Sequence, residues 1–212
     1  MSAPGLPVLL TVANRRCVVV GGGAVGARRA RTLRDAGAVV VVVDPRPVAI
    51  EGVEHVASRF VPEHLEGAFA VVIATDDAAV NALAADTARR RGILVNAAAP
   101  GEGSDAGDFA VMASVARGPL RVGVAGGGPI PSGLVRDRID ALLEPGVGIW
   151  AEELEALRHR LHGEESPAVD RVRTLREVAS DGGVWSAVAA GDADAIRTAI
   201  GGAARRHGAS RS

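Results

Sequence analysis

The chain has 212 residues, 48% apolar and 2% aromatic, with no tyrosine; its 24 basic residues are all arginine and the formal net charge is −1. That composition excludes phenol acid–base chemistry, lysine Schiff bases and a Walker-type lysine loop, and it leaves no basic footprint for nucleic acid or an anionic membrane. The length suits a nucleotide-binding domain with a smaller appendage, and with no secretory leader or membrane-spanning run in view the expected location is cytoplasmic.

Met1 to Asn14 offer a Pro/Gly segment and one apolar stretch, Val8 to Val12, readable as an entry strand or a loop over a sheet. Cys17 to Val20 are apolar without alternation, as in a strand covered on both faces, and the lone Cys17 reads there as a small buried hydrophobe. Gly21-x-Gly23-x-x-Gly26 follows at dinucleotide-binding spacing: a tight turn, a close approach to pyrophosphate, and close helix–strand packing. The alternative is a tight turn that binds nothing. A helix over Ala27 to Ala36 comes next, stopped by Gly37. Its arginines, Arg28, Arg29, Arg31 and Arg34, form either a solvated face or a hold for substrate carboxylates.

Val39 to Val43 is a second buried strand, closed by Asp44, 18 residues beyond Gly26. An acid there can accept both ribose hydroxyls of an adenosine and would repel a 2′-phosphate, which favours NAD over NADP. Strands are expected at Val53 to Ala57, Phe69 to Ala74 and Ile93 to Asn96, with a short helical connector at Pro62 to Leu65 and a helix from Ala78 to Arg91. Thr75-Asp76-Asp77 either lines the ligand crevice or caps that helix. Such alternation implies an α/β fold: a Rossmann-type parallel sheet with helices on both faces. A polar loop follows from Ala97, then a strand at Leu120 to Val124, a second glycine stretch and a helix from Ser132 to Leu143. Beyond Pro145 the pattern turns helical, with Trp150, Leu154, Leu157 and Leu161 on one stripe. Further helices are expected over Ala168 to Ala179, Trp185 to Ala190 and Ala193 to Ile200, the last capped by Asp192, before a disordered tail from Gly201. His159 and His162 lie three apart but lack a third ligand, so no metal site is assigned.

An ordered series of motifs runs through these elements: Leu6-Pro7, Val19 to Gly26 with Arg28-Arg29-Ala30-Arg31, Asp35 to Ala38, and Ile73 to Asp77. It continues with Val80-Asn81, Val95-Asn96, Asp108-Phe109, Gly118-Pro119-Leu120 and the turn and helix from Val124 to Leu143. The series resembles the precorrin-2 dehydrogenase/sirohydrochlorin ferrochelatase family, the dehydrogenase part of siroheme synthases. The resemblance implies a homodimer with an NAD-binding domain over residues 1–113, a dimerisation segment over 114–145 and a helical domain over 146–200, followed by the tail 201–212. It also implies oxidation of precorrin-2 to sirohydrochlorin with NAD as hydride acceptor, and in some members insertion of ferrous iron. Cofactor contacts would fall on Gly21, Gly23, Ala24, Val25, Gly26, Asp44, Pro45, Arg46, Thr75 and Asp76, and substrate contacts on Arg28, Arg29, Arg117 and Asn96.

One departure stands out. The family's Asn-x-x-Asp pattern, whose aspartate is implicated in proton removal and metal insertion, reads Asn96-Ala97-Ala98-Ala99 here. Alanine can neither take a proton nor bind iron. The following loop carries Glu102, Asp105 and Asp108, of which Asp105 is the replacement suggested for catalysis, independently of the family. The alternative is a non-catalytic module that binds NAD or tetrapyrrole and has lost the aspartate.

Overall fold

The computed structural model describes residues 5–97, 107–126, 128–163 and 167–209. The chain divides into two compact units, Met1–Val111 and Met112–Ser212.

The first unit is a five-stranded parallel sheet, β1 (Arg16–Val20), β2 (Val39–Val43), β3 (Glu54–Val56), β4 (Ala70–Ile73) and β5 (Leu94–Ala97), in the order β3-β2-β1-β4-β5. The strand β1 is central, with Cys17 in register with Val40 on one side and Ala70 on the other. Two helices, α1 (Ala24–Asp35) and α2 (Ala78–Arg90), and a 3₁₀ turn at Pro62–Leu65 connect the strands. Side chains alternate between two buried faces, which explains the unbroken Val runs. Val18, Val20, Val41, Val43, Val71, Ile73 and Val95 join Ala84 and Ala88 of α2, whereas Cys17, Val19, Val40, Val42, Ala70 and Val72 join Ala30 and Leu33 of α1. Burial pushes the Cys17 thiol up, so it stays protonated inside the core, as a hydrophobe would.

Several boundaries differ from the sequence reading. Residues 8–12 form no strand; only Val12 is buried there. The helix α1 starts at Ala24, three residues before the expected Ala27, because Gly26 is accommodated inside the helix rather than ahead of it. The cap of α2 is Asp77, whose Oδ1 accepts from the Ala79 and Val80 N–H groups at 3.0 and 3.1 Å.

The second unit begins with an antiparallel pair, β6 (Ala113–Arg117) and β7 (Leu120–Val124), followed by α3 (Pro129–Leu142), α4 (Val147–His162), α5 (Ala168–Ala179), α6 (Gly182–Ala190) and α7 (Ala193–Ala209). Its core joins Val147, Leu157, Val178, Val184, Val188, Ile196, Ile200 and Ala203, with Trp150, Leu154 and Leu161 packed against it, so the expected stripe of α4 finds its partner. The expected cap of α7 is present: Asp192 accepts from the N–H groups of Asp194 and Ala195. The expected disorder from Gly201 is corrected. The helix continues to Ala209, since Ala203 is fully buried and Arg206 reaches the Asp181 carboxylate at 2.7 Å. Among the described residues no helix is long and apolar enough to cross a membrane.

Candidate dinucleotide site

At the carboxyl end of β1 the chain turns sharply into α1. Gly21 has φ +101°, its N–H donates to the Val43 carbonyl oxygen at 2.9 Å, and a Cβ on it would stand 2.6 Å from the Ala74 carbonyl oxygen. A Cβ on Gly26 would stand 1.8 Å from the Gly21 carbonyl oxygen, so the helix can close on the turn only with glycine there. A Cβ on Gly23, by contrast, would meet nothing within 4 Å. The three glycines therefore divide the work as their spacing suggests: two bring chain segments together and one leaves backbone open to a ligand. Gly23 is the N-cap residue of α1, and the first N–H groups of any helix lack intrahelical acceptors and attract phosphate. The residues present fit a bound dinucleotide.

Asp44 lies at the end of β2 with only 3% of its surface exposed. Its Oδ2 accepts from the Gly22 N–H at 2.6 Å and its Oδ1 from the Arg46 N–H at 2.8 Å; the Arg46 guanidinium donates to both oxygens at 3.1 Å. The Arg46 side chain first, and then the two backbone N–H groups, hold the carboxyl down at about 2, against the opposing effect of burial. Asp44 thus fastens the glycine turn to β2, a role the sequence reading missed along with that of Gly22. A Cβ on Gly22 would stand 2.2 Å from Val48 Cγ2 and 3.1 Å from Asp44 Cβ. The run of three glycines before a helix was the available signal.

The Asp44 carboxyl has a folded value of about 2 against an ordinary 3.8, so its contribution is complete above pH 3.8 and is lost as pH falls through 2. Asp44→Asn is expected to cost at most about 2 kcal/mol at neutral pH, because the Arg46 side chain is 70% exposed and water screens that pair. Urea denaturation at a series of pH values should show the two proteins converging across that window.

Across the crevice, Thr75 is fixed by Asn81: its hydroxyl donates to Asn81 Oδ1 at 2.6 Å and its carbonyl oxygen accepts from Asn81 Nδ2 at 3.0 Å. Asp76 is exposed and adds to the field that raises the Arg46 pKa behind the larger effect of Asp44. On the far strand, the Asp108 N–H donates to the Val95 carbonyl oxygen at 2.7 Å and its carboxylate accepts from the Val95 N–H at 2.9 Å. That acid pairs the open edge of β5. Asn96, 4% exposed, donates through Nδ2 to the Phe109 carbonyl oxygen at 2.7 Å, while its Oδ1 is buried without a partner.

The arginines separate. Arg28 is exposed on α1. Arg29 is half-buried, its Nε has no partner, and burial, with the neighbouring Arg28 charge second, lowers its pKa. Arg117 belongs to the second unit, where its guanidinium pairs with the Asp140 carboxylate. Ala99, Glu102 and Asp105 lie outside the described residues. His159 is paired with Glu155 at 3.2 Å.

A parallel sheet with a glycine turn, a helix N-terminus and an acid at the end of β2 defines a dinucleotide-binding α/β protein. The family model described as putative NAD(P)-binding matches residues 8–113. The chain belongs to that family. It is 36% identical over 200 residues to the siroheme synthase of Chromobacterium violaceum, covering 90% of this chain and 42% of the relative. It is 33% identical over 204 residues to that of Methylobacillus flagellatus, covering 92% and 43%. The chain thus spans less than half the length of these relatives. Among solved structures, SirC, a precorrin-2 dehydrogenase, superposes with a TM-score of 0.72 at 22% identity, covering 94% of this chain and 98% of that one, which shows a shared fold.

Proposed function

We propose that this chain is an NAD-dependent dehydrogenase that oxidises precorrin-2 to sirohydrochlorin in siroheme biosynthesis. The observation that carries the reading is an intact dinucleotide crevice in a chain similar to siroheme synthases over 90% of its length. Bound NAD supplies a hydride acceptor; the substrate gives up a hydride and a proton, leaving NADH and the oxidised macrocycle. The chain's residues hold and orient the two. Gly21, Gly23, Ala24, Val25 and Gly26 receive the pyrophosphate at the α1 terminus, Asp44, Pro45 and Arg46 border the adenosine ribose, and Thr75 and Asp76 line the opposite wall. For the ribose to bind Asp44, the Arg46 side chain yields its bonds; the same carboxylate favours NAD over NADP.

The substrate is an anionic tetrapyrrole, and exposed Arg28 is suited to its carboxylates, with Arg117 as the other proposed contact. Asp105 is proposed as the acid that removes the proton. Ferrous iron would be a substrate, and Ala99 deprives its insertion of the carboxylate found in the family pattern. In this reading the protein is a cytoplasmic homodimer. The exposed Ile130, Leu134, Val135 and Leu142 on α3 support contact through the segment 114–145.

The test is NADH formation, followed by absorbance, when precorrin-2 is added anaerobically to protein and NAD. A rise that requires both substrates is expected. Folded protein that binds NAD and yields no NADH would overturn the reading and leave the non-catalytic module in its place.

A further inference from the structure

Two polar atoms in the first unit, Arg29 Nε and Asn96 Oδ1, are buried and have no hydrogen-bond partner. One is a donor and the other an acceptor. The assignment of Asn96 follows from chemistry, since its other terminal atom faces the Phe109 carbonyl oxygen, which can only accept. A buried orphan of either kind is costly to the folded chain, so a partner of the right polarity is attracted to it.

Both atoms belong to the same side of the same sheet face. Leu94 of β5 packs against the same core cluster as Ala30 and Leu33 of α1, and Asn96, two residues on, points to that face; so does its neighbour across the register, Val72. On α1, Gly26, Ala30 and Leu33 form the buried stripe, and at ~100° per residue Arg29 and Arg34 fall on its two opposite flanks. Arg34 donates to the Glu51 carbonyl oxygen at 2.8 Å, in the segment joining β2 to β3. Its flank therefore faces β2 and β3, and the flank of Arg29 faces β4 and β5. That is the side away from Asp44, where the nicotinamide half of a dinucleotide lies when its adenosine is held at β2.

The geometry points to Arg29 and Asn96 as the pair that recognises the carboxamide of the nicotinamide, a deepening that rests on the dinucleotide reading above. The carboxamide carbonyl accepts from Arg29 and its NH₂ donates to Asn96 Oδ1. A substrate carboxylate would suit Arg29 alone, because it has no hydrogen to offer Asn96. Asn96 thus distinguishes cofactor from substrate on this flank.

The test compares NAD, its 3-acetylpyridine analogue, which keeps the carbonyl but replaces NH₂ with methyl, and ADP-ribose, which lacks the ring, all by calorimetric titration. The unaltered protein is expected to bind NAD about tenfold tighter than the analogue, the equivalent of one buried hydrogen bond. Asn96→Ala should bring NAD down to the analogue's affinity, while Arg29→Leu should weaken both about equally; neither should change ADP-ribose binding. Equal affinities of the unaltered protein for NAD and the analogue would overturn the inference without any variant, as would a preference that survives in Asn96→Ala. Failure of ADP-ribose to bind the unaltered protein would overturn the dinucleotide reading itself and the inference with it.

Discussion

Gly26→Ala is expected to abolish dinucleotide binding and to destabilise the first unit by about 3 kcal/mol, the upper part of the range for an overpacked site. The added methyl carbon would stand 1.8 Å from the Gly21 carbonyl oxygen and 2.9 Å from its carbonyl carbon, both backbone atoms. They cannot swing aside as a side-chain tip would. Gly21 is itself held between β2 and β4, by its hydrogen bond to Val43 and by its approach to Ala74, so relief must come from lifting α1 off the turn. Lifting it moves the helix N–H groups that would receive the pyrophosphate. Gly23→Ala is the matched control. Its methyl group meets nothing within 4 Å, so stability should stay within about 0.5 kcal/mol while NAD affinity falls, because the methyl stands where the ligand would approach. Thermal melting and NAD titration of the two variants separate a folding role from a binding one. A Gly26→Ala protein that melts and binds like the unaltered chain would contradict the geometry.

The second large effect concerns Asp105 and Ala99. Under the proposed function, in which Asp105 removes the proton, Asp105→Asn is expected to lower the rate of precorrin-2 oxidation about 100-fold, the lower end of what a positioned general base contributes, and Ala99→Asp in that variant to restore much of it. Single-turnover NADH formation is the readout, with NAD affinity titrated alongside it. An unchanged rate in Asp105→Asn would contradict that role for Asp105. An unaltered chain without turnover that gains it with aspartate at 99 would favour the non-catalytic module that has lost the family aspartate.

Much of the first unit was legible from sequence because its signals are local. Five Val residues from Val39 to Val43 with no alternation read as a strand buried on both faces, as Val40 to Val43 are, and the glycines fix where β1 stops. What the sequence could not reveal were contacts made across the sheet. Asp44 reads from its spacing as a ribose ligand, yet in the fold its carboxylate binds the Gly22 N–H, a partner 22 residues away that no periodicity announces. Asp108 reads as a loop acid, and it completes the edge of β5 instead. Small residues misled at the carboxyl end. Gly201, Gly202 and Ala203 resemble the start of a disordered tail, but the small size of Ala203 lets α7 pack closely against the helical core. Arg29 and Asn96 read from the resemblance as substrate contacts; that each keeps a buried, unpaired atom is a property of the packed structure.

The glycine turn and Asp44 gain a shared meaning from these contacts. The acid proposed to select NAD is also the tie that positions the turn, so under the proposed function cofactor choice and loop geometry depend on one carboxylate. Titration of NAD and NADP into the unaltered protein tests this most directly. The prediction is saturable binding of NAD at least about tenfold tighter than NADP, a difference of about 1.4 kcal/mol. Equal affinities, or no binding of either, would contradict it.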